Sequence, residues 1–296
     1  MADRNASPRN ALTASKVRAV RLDLASIGGL IVAAGGIIGG LVLDGGHVSD
    51  IRQMTAAIVV LGGTLGAVMV TSPMSSLIRA AKGLKNVFFE EVIDMDAAVD
   101  EIVAYASKAR KSSIISLEED LDQIGDPFLK KALSLAIDGT DLKELRKMMD
   151  LEIYQAERRA ESGVKIYEAA GGYSPTIGII GAVMGLIQVM KHLENIDEVG
   201  RGIAIAFVAT VYGVAVANLF FLPVASKLKA RIYNDVQVKE LLLEGVASII
   251  EGMNPKLIRV KLEAFVDPDG KKTAPAGKPA SGKATAGSSQ PAVAKG

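Results

Sequence analysis

The chain has 296 residues, of which 49% are hydrophobic, with a mean hydropathy of +0.30 and a formal net charge of +1. This composition excludes an ordinary soluble domain, and the small net charge gives no overall field that would attract nucleic acid. Without cysteine there are no disulfides or thiolate metal sites, and no phosphate-binding or dinucleotide-binding glycine motif occurs. The two histidines, His47 and His192, fit no zinc-ligand pattern, so neither a metal nor another cofactor is predicted.

Four uncharged apolar stretches are long enough to cross a bilayer, which takes about 20 helical residues. They cover residues 24–43, 53–78, 169–190 and 202–226. The first is longer than the apolar part of a signal peptide and no clear cleavage site closes it, so we interpret it as a retained helix. The spans form two hairpins with short loops, residues 44–52 and 191–201.

Lysine and arginine predict the orientation of these spans. Positive side chains precede the first span and follow the second and fourth spans: Arg4, Arg9, Lys16, Arg18, Arg21, Arg79, Lys82, Lys85, Lys227, Lys229 and Arg231. The hairpin loops hold little positive charge, and the second contains Glu194, Asp197 and Glu198. Because cytoplasmic loops are enriched in Lys and Arg, both termini and residues 79–168 are predicted to be cytoplasmic.

The polar segments predict helices, so the predicted fold class is all-α: four transmembrane helices with a helical cytoplasmic domain. Few Val, Ile or Thr residues alternate, and no sheet is predicted. A helix that begins after Asp141 meets no breaker before Gly163 and is expected to continue into the third span. The predicted divisions are an N-terminal segment (1–22), a first hairpin (23–78), a cytoplasmic domain (79–168), a second hairpin (169–226), a C-terminal helical segment (227–265) and a disordered tail (266–296).

Glycines are frequent in the spans, and pairs such as Gly35 and Gly39 allow helix backbones to approach closely. We infer a homo-oligomer, with packing inside one chain as the alternative. No Asp, Glu, Lys, Arg or His lies within any span, although such a residue usually marks an ion path. Either the protein moves no ions, or a partner chain supplies the group that titrates.

Two stretches resemble the MotA/TolQ/ExbB proton-channel family: YSPTIGIIGAVMGLI at residues 173–187 and AFVATVYGVAVANLFFLP at residues 206–223. The segments around Arg110 and Glu118, and the layout of the spans, resemble the A subunits of flagellar motor stators (MotA, MotC or MotP type) within it. The resemblance covers about residues 22–265 and implies a bacterial inner-membrane protein. It also implies that five copies of the A subunit form a ring around two copies of a one-span, peptidoglycan-binding B subunit, whose aspartate carries the proton. Cytoplasmic charges of the ring would then push on the rotor protein FliG.

The resemblance also implies roles for single residues. Thr210 matches the hydroxyl that faces the B-subunit aspartate on the ion path, and Pro175 and Pro223 match two prolines tied to coupling. Arg110 and Glu118 match a charged pair that engages the rotor, while Lys111 and Glu119 stand where sodium-driven relatives also place charge. Without the resemblance, the better interpretation of these four charges is a solvated helix face. The ion-path candidates are Pro175, Ala182, Ala209, Thr210 and Tyr212; no residue is predicted to be catalytic.

The proton is the hypothesised coupling ion. Sodium-type relatives tend to have threonine where this chain has Ala182 and Ala209, and alanine offers no oxygen to a desolvated sodium ion. Asn218 departs from the pattern, since some proton-type relatives have tyrosine there.

Three alternative functions fit the sequence less well. A TolQ/ExbB-type energiser of the outer membrane has three spans and lacks the extra hairpin and the stretch from Arg110 to Glu118. A passive membrane scaffold explains the glycines but not the surroundings of Pro175 and Thr210. An intramembrane enzyme is disfavoured because the spans hold no catalytic dyad. The expected partners are therefore further copies of the chain, the B subunit, FliG and membrane lipid.

Overall fold

The computed structural model describes residues 18–266. The predictions for residues 1–17 and for the tail beyond residue 266 lie outside the described residues. Within them, two short strands and nine helices follow one another. The strands are β1 (Arg18–Leu22) and β2 (Phe89–Ile93); the helices are α1 (Leu24–Leu43), α2 (Met54–Thr71), α3 (Met74–Gly83), α4 (Lys85–Phe88), α5 (Met95–Ser112), α6 (Pro127–Ile137), α7 (Leu142–Lys191), α8 (Ile196–Ile250) and α9 (Pro255–Val266).

Helices α1, α2, α7 and α8 are each long and apolar enough to cross a membrane, which confirms the four predicted spans and the all-α class. The second span is shorter than predicted. Helix α2 ends at Thr71, because Ser72 is extended (φ −136°, ψ 140°) in front of Pro73. A residue before proline avoids the helical conformation, so residues 53–78 contain a break and not one helix.

Helices α7 and α8 reach far beyond the apolar stretches predicted for them. Their 50 and 55 residues extend about 75 and 80 Å at 1.5 Å per residue, whereas the hydrocarbon core of a bilayer is about 30 Å thick. The prediction that the helix after Asp141 continues into the third span is confirmed. Asp141 caps this helix by accepting a hydrogen bond from the backbone N–H of Lys143 at 3.0 Å.

The polar ends of α7 and α8 form a globular domain together with α5, α6, α9 and the 3-10 segment Ile114–Gln123. Its core contains large side chains that are fully buried: Ile102, Leu117, Leu129, Leu133, Leu145, Met149, Leu241, Ile258 and Leu262. Val266, which was assigned to the tail, is the last residue of α9 and packs against this core. The globular domain is therefore one packed unit built from two separate parts of the sequence, one before and one after the second hairpin.

Strands β1 and β2 form an antiparallel pair in which Arg18 is opposite Ile93 and Leu22 is opposite Phe89. Strand β2 lies in a segment for which no sheet was predicted, since five residues are too few to show a clear alternation. A lone two-stranded sheet is marginally stable, so its neighbours must support it. The backbone N–H of Asp23 extends the pairing by donating to the carbonyl of Phe88 at 2.9 Å.

Helix α1 has no buried residue. A Cβ placed on any of its six glycines would meet nothing within 4 Å among residues 18–266: Gly28, Gly29, Gly35, Gly36, Gly39 and Gly40. The close packing that these glycines predict is therefore not supplied by the described part of this chain.

Candidate functional site

The apolar halves of α7 and α8 cross at van der Waals distance because glycine occupies the points of contact. A Cβ on Gly213 would lie 2.6 Å from the carbonyl oxygen of Ser174, and one on Gly185 would lie 2.9 Å from the backbone nitrogen of Ala206. Neither distance is accessible to a real side chain. The buried hydroxyl of Ser174 also donates to the carbonyl of Gly213 at 3.0 Å. This crossing fixes α7 against α8 in the region of the predicted ion path.

Pro175 and Pro223 each interrupt the hydrogen-bond ladder of one helix, α7 and α8 respectively. Proline has no N–H for the carbonyl four residues earlier, which is Gly171 in α7. Gly171 is buried against the turn that precedes Pro223, where a Cβ would lie 2.6 Å from a terminal methyl group of Leu222. Directly before this turn, α8 widens into the π-helical turn Ala217–Phe221. The residue whose carbonyl loses its helical partner at Pro175 thus contacts the residue before Pro223, and a helix bends more easily where such a hydrogen bond is missing.

The remaining ion-path candidates occupy different environments. Ala209 is 1% exposed and lies inside the α7–α8 contact, where it faces Gly181, whereas Ala182 is half-buried. Thr210 is half-buried, and its hydroxyl donates to the carbonyl of Ala206 at 3.3 Å. Threonine in a membrane helix commonly donates its hydroxyl hydrogen to a backbone carbonyl of its own helix, which leaves the lone pairs of the hydroxyl oxygen available as acceptors.

Tyr212 joins the second hairpin to the loop of the first. Its hydroxyl donates to the carbonyl of Ile51 at 2.5 Å. Ile51 ends the 3-10 turn Val48–Ile51, which lies between α1 and α2. The Tyr212 ring packs on a small cluster formed by Ala56, Val208 and Ala209. The structure therefore gives Tyr212 a contact between hairpins.

The four predicted rotor-binding charges lie on two adjacent elements of the globular domain. Arg110 and Lys111 belong to the last turn of α5, and Glu118 and Glu119 belong to the 3-10 segment. All four are exposed, and none has a hydrogen-bond or ion-pair partner among residues 18–266. The chain reverses between the two pairs at Ser113, whose φ is +75°.

Two ionic contacts that hold these regions in place were missed in the sequence. The Nζ of Lys108 lies 2.6 Å from a carboxylate oxygen of the buried Asp120 and joins the 3-10 segment to α5. Asp23, the residue before the first span, is buried beside Lys227 and Arg231 of α8. The sequence did contain a hint of the second contact. Asp23 is an isolated acidic residue directly before the first span, and basic residues directly follow the fourth span.

Comparison with known proteins identifies the architecture. Residues 120–241 match the MotA/TolQ/ExbB proton channel family, and residues 27–112 match the N-terminal domain of motility protein A. Motility protein A of Bacillus subtilis is 34% identical over 83% of this chain and 91% of its own length. The chain belongs to the MotA/TolQ/ExbB proton channel family.

Solved structures of this family share the fold. The C. jejuni MotAB structure superposes with a TM-score of 0.80 at 29% identity, over 84% of this chain and 97% of the matched chain. The flagellar MotAB stator complex of Bacillus subtilis gives 0.77 at 34% identity, over 82% and 96%. Membership makes the chain a multi-pass membrane subunit of the flagellar stator type and not an enzyme. The match to motility protein A at residues 27–112 disfavours the TolQ/ExbB alternative.

Proposed function

We propose that this chain forms the ring of a proton-driven flagellar stator and works with a one-span, peptidoglycan-binding B subunit to turn the rotor. The observation that carries this proposal is the α7–α8 pair. The two helices are locked at glycine contacts and each is interrupted by one proline, while residues 169–190 and 202–226 contain no Asp, Glu, Lys, Arg or His. A helix pair with this design can line an ion path but needs a titrating group from another chain.

The exposed apolar surface of the pair supports a ring. Large side chains remain uncovered on both helices after they pack together: Ile179, Ile180, Val183, Met184, Phe207 and Val211. In the proposed assembly of five copies around two B subunits, neighbouring copies and the B helices cover part of this surface and lipid covers the rest. The MotAB complexes among the structural matches support the B partner.

The proton is the proposed coupling ion because the residues beside Thr210 offer few oxygen ligands. Ala182 and Ala209 have none, and Thr210 leaves one hydroxyl oxygen to face the B-subunit aspartate. Reconstitution of the chain with its B subunit in liposomes tests this assignment. Proton uptake is expected to fall in Thr210→Ala and to be retained in Thr210→Ser. Thr176→Ala is the control, since the exposed hydroxyl of Thr176 donates to the carbonyl of Tyr173. Flux that follows sodium and ignores the proton gradient would refute the assignment.

The proposed orientation places both termini and the globular domain in the cytoplasm of a bacterium, at the inner membrane. Lys227 and Arg231 lie at the same end of the bundle as Asp23, and the loops of both hairpins lie at the other end. The globular domain then faces the rotor, and Arg110, Lys111, Glu118 and Glu119 make the contact.

Charge reversal tests the rotor contact. Arg110→Glu and Glu118→Lys are expected to reduce swimming and to weaken binding of FliG to the purified stator complex. Arg159→Glu is the matched control, because Arg159 is exposed on α7 far from α5 and its Nε donates only to the carbonyl of its own helix. Unchanged swimming and FliG binding in both reversals, alone and combined, would exclude this contact.

A further inference from the structure

A groove of about 250 Å³ lies between α1 and α8, and α4 closes its third side. Asn218 lines one end of the groove and Lys227 lines the other. Nine helical residues separate these two side chains, so the groove is about 13 Å long. Ser26 also lines the groove, and the other lining residues are apolar or glycine.

The groove exists because α1 does not pack tightly on α8. Helix α1 has no buried residue, and a Cβ on Gly29, which lines the groove, would meet no atom of residues 18–266 within 4 Å. The lining residues of α1 and α8, apart from Lys227, belong to the apolar stretches 24–43 and 202–226. The groove therefore opens to the bilayer, and Lys227 marks the level at which α8 leaves it.

The dimensions of the groove suit a hydrocarbon chain. Its volume divided by its length gives a mean cross-section of about 20 Å². An α-helix with its side chains is at least about 10 Å wide, which corresponds to about 80 Å², so a neighbouring helix is too thick to enter. Apolar walls also disfavour water. On the scale of a cavity of about 150 Å³ that holds benzene, the groove accommodates on the order of ten carbon atoms.

The polar end of the groove has an excess of positive charge. Lys227 and Arg231 share one carboxylate, that of Asp23. The ammonium group of Lys227 has three N–H donors, and Asp23 is its one partner among residues 18–266. The buried Nε of Arg231 has no hydrogen-bond partner within the same residues. Two cations beside a single carboxylate leave a net charge of about +1, which is complementary to an anion.

Other charges close to this end do not cancel the excess. Lys229 lies 2.6 Å from Glu168, and Arg21 is opposite Glu90 in the strand pair, so each of these pairs is neutral. Lys85, which is exposed two residues before the α4 part of the wall, adds a further positive charge.

We propose that this groove binds one anionic glycerophospholipid, with its phosphate at Lys227 and one acyl chain between α1 and α8. Basic pockets between membrane helices are typical sites for anionic headgroups, and phosphate oxygens accept charge-assisted hydrogen bonds from lysine. The acyl chain would fill the space beside Gly29, and the lipid would join the loosely attached first span to α8. This site depends on the membrane spans and not on the ion path or the rotor contact, so either proposal can fail without the other.

The natural chain contains no tryptophan, so a single introduced indole reports on the groove. Leu30→Trp places it on the groove wall, and Val32→Trp places it on the exposed surface of α1, outside the groove. The stator complex is reconstituted in vesicles of phosphatidylcholine with brominated acyl chains, which quench tryptophan, and unbrominated phosphatidylglycerol is added in steps. A complex without the introduced tryptophan gives the background from the B subunit.

The recovery of fluorescence gives the preference of each position for phosphatidylglycerol over phosphatidylcholine. One net positive charge beside an anionic headgroup corresponds to a preference of about fivefold. This preference is expected for the tryptophan at position 30. Recovery at position 32 is expected to follow the bulk lipid composition, with no preference.

Two further substitutions in the Leu30→Trp protein separate the charge from the groove. Lys227→Gln is expected to abolish the preference, and Lys227→Arg is expected to retain it. Lys229→Gln is the matched control, since Lys229 pairs with Glu168 and does not line the groove. Gly29→Leu fills the groove and is expected to abolish the preference, whereas Gly36→Leu, outside the groove on the same helix, is expected to leave it unchanged. Thermal unfolding of each complex identifies variants that are misfolded.

Three results would overturn the proposal. Equal recovery at positions 30 and 32 would show that only bulk lipid contacts α1. A tryptophan at position 30 that brominated lipid does not quench would show that protein, such as a neighbouring copy, fills the groove. A preference that survives in folded Lys227→Gln and Gly29→Leu complexes would show that phosphatidylglycerol binds elsewhere.

Discussion

The carboxylate of Asp23 lies 2.5 Å from the Nζ of Lys227, so the first residue before α1 is paired with the membrane-proximal part of α8. Arg231 adds a contact at 3.2 Å and also donates to the carbonyls of Val87 and Phe89. The hydrogen bond from Lys227 holds the pKa of Asp23 well below its usual range, although burial opposes this shift. Because α1 has no buried residue, these bonds and the β1–β2 pair attach this end of the first span to the rest of the chain.

Asp23→Asn is expected to lower the free energy of unfolding by about 1–3 kcal/mol, because the buried carboxylate loses its charge-assisted hydrogen bonds to Lys227 and Arg231, which are themselves partly exposed. Denaturant unfolding of the purified complex in detergent measures this loss. Glu168→Gln is the control, since Glu168 pairs with Lys229 at 2.6 Å on the exposed surface. The control is expected to cost less than about 1 kcal/mol. Equal losses in the two variants would contradict a special role for the buried pair.

The helix crossing makes a second prediction. Gly213→Ala is expected to disrupt the α7–α8 contact, because the new methyl group would lie 2.6 Å from the backbone oxygen of Ser174. Overpacking of this kind costs about 1–3 kcal/mol, and a backbone atom cannot rotate away as a side chain does. The expected results are a lower unfolding temperature and reduced proton uptake in liposomes. Gly200→Ala is the control, since a Cβ there meets nothing within 4 Å; a wild-type-like Gly213→Ala protein would show that the crossing is looser than described.

Tyr212 provides a third prediction, which separates a structural role from an ion-path role. Tyr212→Phe retains the ring and removes only the hydrogen bond to the Ile51 carbonyl. The expected loss of stability is about 1 kcal/mol, with proton uptake per folded complex unchanged. Unfolding in denaturant and liposome uptake are measured on the same preparation. Loss of uptake at full stability would instead place the Tyr212 hydroxyl on the ion path.

Local features of the sequence were sufficient to predict the long helices. Apolar run length predicted the four spans, and the absence of a breaker after Asp141 predicted that α7 is continuous. The break at Ser72 was also accessible, because Pro73 disfavours a helical residue before it. The predicted span ran past it because no charged residue occurs before Arg79, and hydropathy alone does not record backbone conformation.

Contacts between distant parts of the chain could not be predicted from local features. Nothing in the spacing of Asp23 and Lys227, or of Tyr212 and Ile51, indicates that they meet. The groove between α1 and α8 requires three helices from distant parts of the sequence to come together, and their arrangement depends on packing across the whole chain. The family resemblance supplied the candidate residues, whereas their different degrees of burial came only from the structure.

Glu244 stabilises the globular domain through two cations from other elements. Its carboxylate lies 2.8 Å from a guanidinium nitrogen of Arg146 on α7 and also contacts Lys261 on α9. Burial of Glu244 would raise its pKa, but the hydrogen bonds from Arg146 and Lys261 outweigh burial and lower the pKa below its ordinary value of 4.5. The same contact raises the pKa of Arg146.

The direction of this shift determines how stability depends on pH. A carboxyl group whose pKa is lowered by folding stabilises the folded state above its unfolded pKa, and this contribution is lost as the pH falls through the lower, folded value. Glu244→Gln is therefore expected to be less stable than the natural chain by about 1–3 kcal/mol at pH 7. The difference between the two proteins is expected to shrink as the pH falls below about 4.5. Parallel denaturant titrations between pH 7 and pH 3 measure that difference, from which the titration of other carboxylates cancels. A difference that stays constant over this range would show that the ion pairs contribute nothing and that the substitution acts through packing.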